Sequence, residues 1–218
     1  MGHRGVIMAR ETDYFGLPHL THPHWDPLWA AAQDMELSIN FHIAAGDRDE
    51  LERTWEGMGR HARVSTSVVS FLLGNAIGIA DLIHAGIPHR YPTLNFVSVE
   101  SGIGWIPYAL DAMDWHWKNM GVHIEHPEYL LPSDYFKRQF YGCFWFEDVT
   151  ALQAIDALGP DNFLFETDFP HSAGLTPGPA SMAVSPREHI AANFSGLPES
   201  SLRKILHDNA AKLYHLNS

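Results

Sequence analysis

The sequence predicts an α/β fold: a parallel sheet of about five strands with flanking helices. Two observations carry this. Apolar strand-like runs alternate with helix-like segments along the whole chain. Several of the runs also end in a side chain able to bind a metal or move a proton. The clearest is Asn162-Phe163-Leu164-Phe165-Glu166-Thr167-Asp168-Phe169-Pro170-His171, which opens as a buried strand and closes on two carboxylates, a proline and a histidine. Parallel strands bring all their C-terminal ends to one edge, where α/β proteins build their sites. Glu166 and Asp168 are two apart, so on a strand they face one side.

Taken in order, Gly5 to Ala9 reads as the first strand, and the Pro-, His- and Thr-rich residues 10–26 as a loop. Asp26-Pro27 starts a helix, with Asp26 as N-cap and Pro27 at its first position. Ser38 to Ile43 is the next strand, closed by Ala44 to Asp47. Residues 49–63 are helix-compatible, and Ser67 to His84 is apolar enough to predict a buried helix ending near Gly86. Pro92 to Glu100 is a strand, followed by a turn at 101–104 and a helix over Trp105 to Lys118. Residues 121–134 read as a loop and Phe140 to Phe146 as a strand. Asp148 caps a helix over Val149 to Leu158, and Phe163 to Asp168 is the last strand. A Gly- and Pro-rich loop over 174–186 leads to helices around 188–194 and 198–214.

A chain of 218 residues, 45% hydrophobic and 18% charged, fits a single α/β domain over residues 1–218 with a sizeable core. The net charge of -12 argues against a nucleic acid or an anionic membrane as partner. No signal-peptide pattern or membrane-length apolar run is evident, so the cytoplasm is the expected location. The lone cysteine, Cys143, excludes an internal disulfide and reads as a buried thiol. Phosphate-loop, dinucleotide, nucleophile-elbow and H-E-x-x-H motifs are absent.

Three strand ends therefore matter: His42, Glu100 and Asp168. Each has an ordinary reading alone, as a satisfied polar residue, a turn cap or an Asx turn. Together they offer one imidazole and two carboxylates, a donor set for a divalent ion, Zn²⁺ first and Mn²⁺ as the alternative. Asp168, which closes the clearest of the strands, is the first of them to weigh for chemistry. His171 and Trp105 are the expected substrate-binding residues, His171 from its place beside Asp168 and Trp105 as an apolar wall after Gly102 and Gly104. His84 and His89 flank a helix end and read as structural.

The segments Val99-Glu100-Ser101-Gly102-Ile103-Gly104-Trp105-Ile106-Pro107-Tyr108, Phe165 to His171 and Asn209-Ala210-Ala211-Lys212-Leu213-Tyr214 together resemble the amidohydrolase-related proteins of the aminocarboxymuconate-semialdehyde decarboxylase type. That resemblance implies a metal-dependent (β/α)₈ barrel of the TIM type that hydrolyses or decarboxylates a small, aromatic or carboxylated substrate. It makes Phe41-His42-Ile43 the fifth strand with its ligand histidine, and Asp168 the eighth-strand aspartate, which binds the metal or acts as the catalytic acid/base. Glu100 stands where the decarboxylases of that family place a histidine. Gly5 to Ala9 resembles the fourth strand, so the chain matches strands four to eight, an incomplete barrel truncated at its N-terminal side. The first-strand His-x-His of the family has no counterpart, since His22 and His24 lie in a loop. An open barrel edge predicts homo-oligomerisation or aggregation. A chain without the metal, binding a ligand or partner without catalysis, is the competing expectation.

Overall fold

The structure, a computed structural model, describes residues 2–43, 55–171, 173–178 and 181–216. Five strands form one sheet: β1 (Gly5–Met8), β2 (Ser38–His42), β3 (Phe96–Val99), β4 (Phe140–Phe144) and β5 (Phe163–Phe165). They pair in sequence order and every pair is parallel. The helices are α1 (Asp26–Asp34), α2 (Arg60–His84), α3 (Ile87–Arg90), α4 (Ile106–Asn119), α5 (Val122–Glu125), α6 (Pro132–Gln139), α7 (Val149–Leu158), α8 (Pro186–Asn193), α9 (Glu199–Arg203) and α10 (Asn209–Leu213). A π-turn over Lys204–Asp208 joins the last two.

Helices cover one face of the sheet and the C-terminal segment covers the other over β3 to β5, while Ile7 of β1 stays 74% exposed; the central strands therefore read as continuous apolar runs. Alternation still divides them. Ile39, Phe41, Phe96, Phe140, Phe144 and Phe163 face the helices and pack with Trp29, Leu82, Leu110 and Phe136. Phe96 lies at the centre, stacked 4.9 Å from Phe140 and meeting Trp29 edge-on. The other face carries Val97, Tyr141, Cys143 and Leu164, which close on Leu213 from α10. The Tyr214 hydroxyl donates to Asn40 Oδ1 at 2.8 Å, so the end of the chain reaches across that face from β5 to β2.

Several expectations change. Asp26 is inside α1, not its cap, and its carboxylate accepts from Arg90 at 2.7 Å. Residues 121–134 contain α5 and the start of α6, where Pro132 sits at a first helical position. The structural strands are shorter than the apolar runs, because β3 stops at Val99 and β5 at Phe165. The expected turn at 44–47 and residues 49–54 lie outside the described residues. Helix α2 starts at Arg60, and its solvent side remains apolar rather than buried. By length and composition alone α2 is apolar enough to cross a membrane, contrary to the expectation that no run of that kind exists. Its C-terminal half instead packs on the sheet through Ile79, Leu82 and Ile83. Asp148 caps α7 as expected, accepting from the Val149 N–H.

Truncating Phe96 leaves a cavity that its aromatic neighbours cannot refill. Phe96→Ala is expected to lower stability by about 3–5 kcal/mol, read as a drop in the urea-unfolding midpoint with little change in slope.

Candidate metal centre

The C-terminal ends of β2, β3 and β5 converge. His42 is the last residue of β2 and Glu100 the first after β3. The His42 Nε2 lies 3.1 Å from Glu100 Oε1. The Asp168 carboxyl lies close to Glu100, within 4.8 Å between ligand oxygens. Asp168 Oδ2 is 2.9 Å from His171 Nδ1, and the Asp168 side chain is 4% exposed against 63% for His171. One ligand atom from each of Glu100, Asp168 and His171 falls within 4.8 Å of the others. The structure brings all three sequence-predicted residues, His42, Glu100 and Asp168, to this one edge. His171 joins the two carboxylates, and His42 braces Glu100 from the side of β2.

Backbone geometry turns these side chains inward. Glu100 and Asp168 have φ of 58° and 53°, left-handed values that non-glycine residues rarely hold. Such strain, about 1–3 kcal/mol each, persists only where surrounding contacts enforce it and gathers at functional sites. The contacts are visible. Buried Asn75 of α2 donates to Phe41 O (3.1 Å), Ser98 Oγ (3.0 Å) and Val99 O (3.3 Å), locking the ends of β2 and β3. The Glu147 carboxylate accepts from Ile103 N at 2.9 Å and Gly104 N at 2.7 Å, holding the turn that follows Glu100. A Cβ on Gly102 would fall 2.7 Å from Glu147 Oε2, so this turn needs glycine. After Asp168, Leu175 N donates to Thr167 O at 2.9 Å and Trp145 Nε1 to Ala173 O at 3.1 Å.

A third carboxylate lies just beneath. Glu166 Oε1 accepts from the Glu100 N–H at 3.0 Å. Burial pushes its carboxyl up to about 8, with the charges of Glu100 and Asp168 adding to the rise. Burial also raises Glu100, as does the Asp168 carboxyl beside it, while His42 opposes the shift. Three carboxylates in one half-buried space favour taking up a proton or a cation.

Above them is a cavity of ≈ 270 Å³. Glu100, Asp168 and His171 lie at its polar side, and Ile43, Val68, Leu72, Trp145 and Phe146 form apolar walls. Trp105 is not among the lining residues. Its indole N–H donates back to Ser101 O and Gly102 O at 3.0 and 3.1 Å, bracing the turn instead. The walls were not legible beforehand, because Val68, Leu72 and Trp145 come from separate elements. Glu166 did carry a signal, its two-residue spacing from Asp168.

These features define an α/β barrel segment with an acidic, metal-competent strand edge. A family model described as amidohydrolase matches residues 2–216, and the chain belongs to that family of metal-dependent enzymes. Its five strands form part of a TIM-type barrel. The chain is similar to a γ-resorcylate decarboxylase of Polaromonas sp. (strain JS666 / ATCC BAA-500), 25% identical over 198 residues, covering 89% of this chain and 55% of that protein. An amidohydrolase structure from Mycobacterium avium subsp. paratuberculosis K-10 superposes with a TM-score of 0.73 at 24% identity, over 98% of this chain and 52% of the other. A dihydroxybenzoic acid decarboxylase from Polaromonas sp. JS666, with bound manganese and the inhibitor 2-nitroresorcinol, has a TM-score of 0.66 at 20% identity, over 93% of this chain and 57% of the other. The chain spans about half the length of these relatives.

Glu166 ties stability to pH. Its folded pKa of about 8 lies above the ordinary value of 4.5, so folding takes up a proton between those limits. Its contribution is fully present below pH 4.5 and is lost as pH rises through 8. In metal-free protein, Glu166→Gln is expected to flatten the fall in melting temperature across pH 4.5–8, measured by calorimetry at fixed ionic strength. An unchanged slope would contradict this assignment.

Proposed function

We propose that this chain carries the metal-binding edge of an amidohydrolase that removes the carboxylate from a small aromatic acid. The observation that carries this reading is the convergence of Glu100, Asp168 and His171 within 4.8 Å against an apolar cavity. The donor set fits a divalent ion. Two carboxylates and one imidazole suit Mn²⁺ better than a thiolate-preferring ion, and the manganese in the dihydroxybenzoic acid decarboxylase supports that choice over Zn²⁺. The γ-resorcylate decarboxylase likeness supports decarboxylation over hydrolysis.

Glu100, Asp168 and His171 would hold the ion, with His42 fixing the orientation of Glu100. When bound, the ion acts as a Lewis acid toward a substrate oxygen. The chain's own residues do the rest. Ile43, Val68, Leu72, Trp145 and Phe146 take the ring and exclude water. The Asp168 carboxyl delivers a proton to the ring carbon that bears the carboxylate. The bond from that carbon to the carboxylate then breaks, its electron pair returns to the ring, and carbon dioxide leaves. Asp168 regains its proton from solvent, which reaches the site past the exposed His171.

The test uses protein stripped by chelator and reloaded with Mn²⁺, with 2,6-dihydroxybenzoate as probe. Expected outcomes are one tightly bound ion per chain and carbon dioxide release. Asp168→Asn should lower kcat by about 10²–10⁴-fold, and Glu166→Gln should weaken metal binding by about 10–100-fold. Metal binding no better than in Asp168→Ala would sink the reading and favour a chain that binds without catalysis.

A further inference from the structure

Two buried hydroxyls bracket Glu100. Ser98 and Ser101 are 3% and 1% exposed, and their oxygens lie 2.5 Å apart across the residue held at φ 58°. Buried hydroxyls are ordinarily satisfied as donors as well as acceptors. Ser98 Oγ accepts from Asn75 Nδ2 at 3.0 Å, and its one described acceptor is Ser101 Oγ. Ser98 therefore donates to Ser101, and the Ser101 proton points onward. The described protein acceptor left for it is Gly102 O at 3.4 Å, a long contact to a carbonyl that already takes the Trp105 indole N–H at 3.1 Å. Ser101 also lines the cavity, at the end where Glu100, Asp168 and His171 stand. An aligned donor without a good protein partner thus faces the space a ligand would fill.

We infer that Ser101 is a substrate-binding residue whose hydroxyl donates to the carboxylate of the aromatic acid. This role rests on the decarboxylase reading above and adds the group that orients the leaving carboxylate. A carboxylate brought beside Glu100 and Asp168 meets like charge. Among the described lining residues there is no Lys or Arg to offset it. Two other donors there are engaged, His171 Nδ1 with Asp168 at 2.9 Å and Trp145 Nε1 with Ala173 O at 3.1 Å. A neutral donor also suits the step. The carboxylate loses its charge as its bond to the ring breaks, so a cation fixed on it would stabilise the bound acid more than the transition state. A hydroxyl orients the carboxylate with less of that penalty.

Alignment of the hydroxyl comes from the cavity wall. Asn75 shares a side of α2 with Val68 and Leu72, at spacings of four and three, and those two residues line the cavity. One helix therefore supplies an apolar wall for the ring and, through Asn75 and Ser98, sets the hydroxyl that meets its carboxylate. A chain of hydrogen bonds of this kind strengthens the donor at its end.

Calorimetric titration of the Mn²⁺-reloaded 218-residue chain tests this, with 2,6-dihydroxybenzoate set against resorcinol, the same ring without the carboxylate. Ser101→Ala should raise the Kd of the acid about 10–100-fold and leave the Kd of resorcinol and of Mn²⁺ as in the unaltered chain. Ser101→Thr keeps a hydroxyl and should recover most of the loss. Ser98→Ala leaves the Ser101 hydroxyl without its alignment. It should weaken the acid by a smaller factor and add nothing further in the Ser101→Ala background. A merely structural serine would weaken resorcinol and Mn²⁺ along with the acid, and that outcome overturns the inference, as does acid binding unchanged in Ser101→Ala. An unaltered chain that takes up Mn²⁺ yet binds no 2,6-dihydroxybenzoate fails one step earlier, and overturns the decarboxylase reading together with the role of Ser101.

Discussion

Like charge at the end of a parallel sheet is the constraint on which this site depends. β3 and β5 each release carboxylates at the same edge, so Glu100, Glu166 and Asp168 meet in a half-buried space. His42 and His171 stand at opposite sides, one against Glu100 and one against Asp168. The group is stable with a shared proton or with a cation, and the convergence of three ligand atoms within 4.8 Å gives a cation a place.

Holding that arrangement requires support from residues that take no part in the chemistry. Asn75 reaches from α2 to the ends of β2 and β3, and Glu147 reaches from the end of β4 to the turn after Glu100. Both are buried polar groups whose hydrogen bonds are made. They sustain left-handed backbone at Glu100, and the 167–175 loop does the same for Asp168. The aromatic stack of Phe96, Phe140 and Phe41 under the sheet gives these strand ends a rigid base. Stability in the core and strain at the edge are thus parts of one design.

The covering of the sheet's second face follows a different logic. Five strands do not close on themselves, and the C-terminal helix brings Leu213 and Tyr214 over Val97, Tyr141 and Leu164. The edge strands β1 and β5 bound the sheet. The chain's coverage of about half of its relatives' length agrees with a barrel segment of this kind.

The sequence by itself determined the parallel α/β order, the strand positions and the acids at strand ends. Those features are local: apolar runs, caps such as Asp148, and the two-residue spacing of Glu166 and Asp168 act over a few residues. The tertiary structure alone decided which groups meet. It put His171 with Glu100 and Asp168, set His42 against Glu100, and turned the Trp105 indole back onto the turn. It also left the solvent side of α2 apolar, where the sequence pattern reads simply as a buried helix. Periodicity fixes which residues share a face, but only the packing of strands and helices against each other fixes what that face meets.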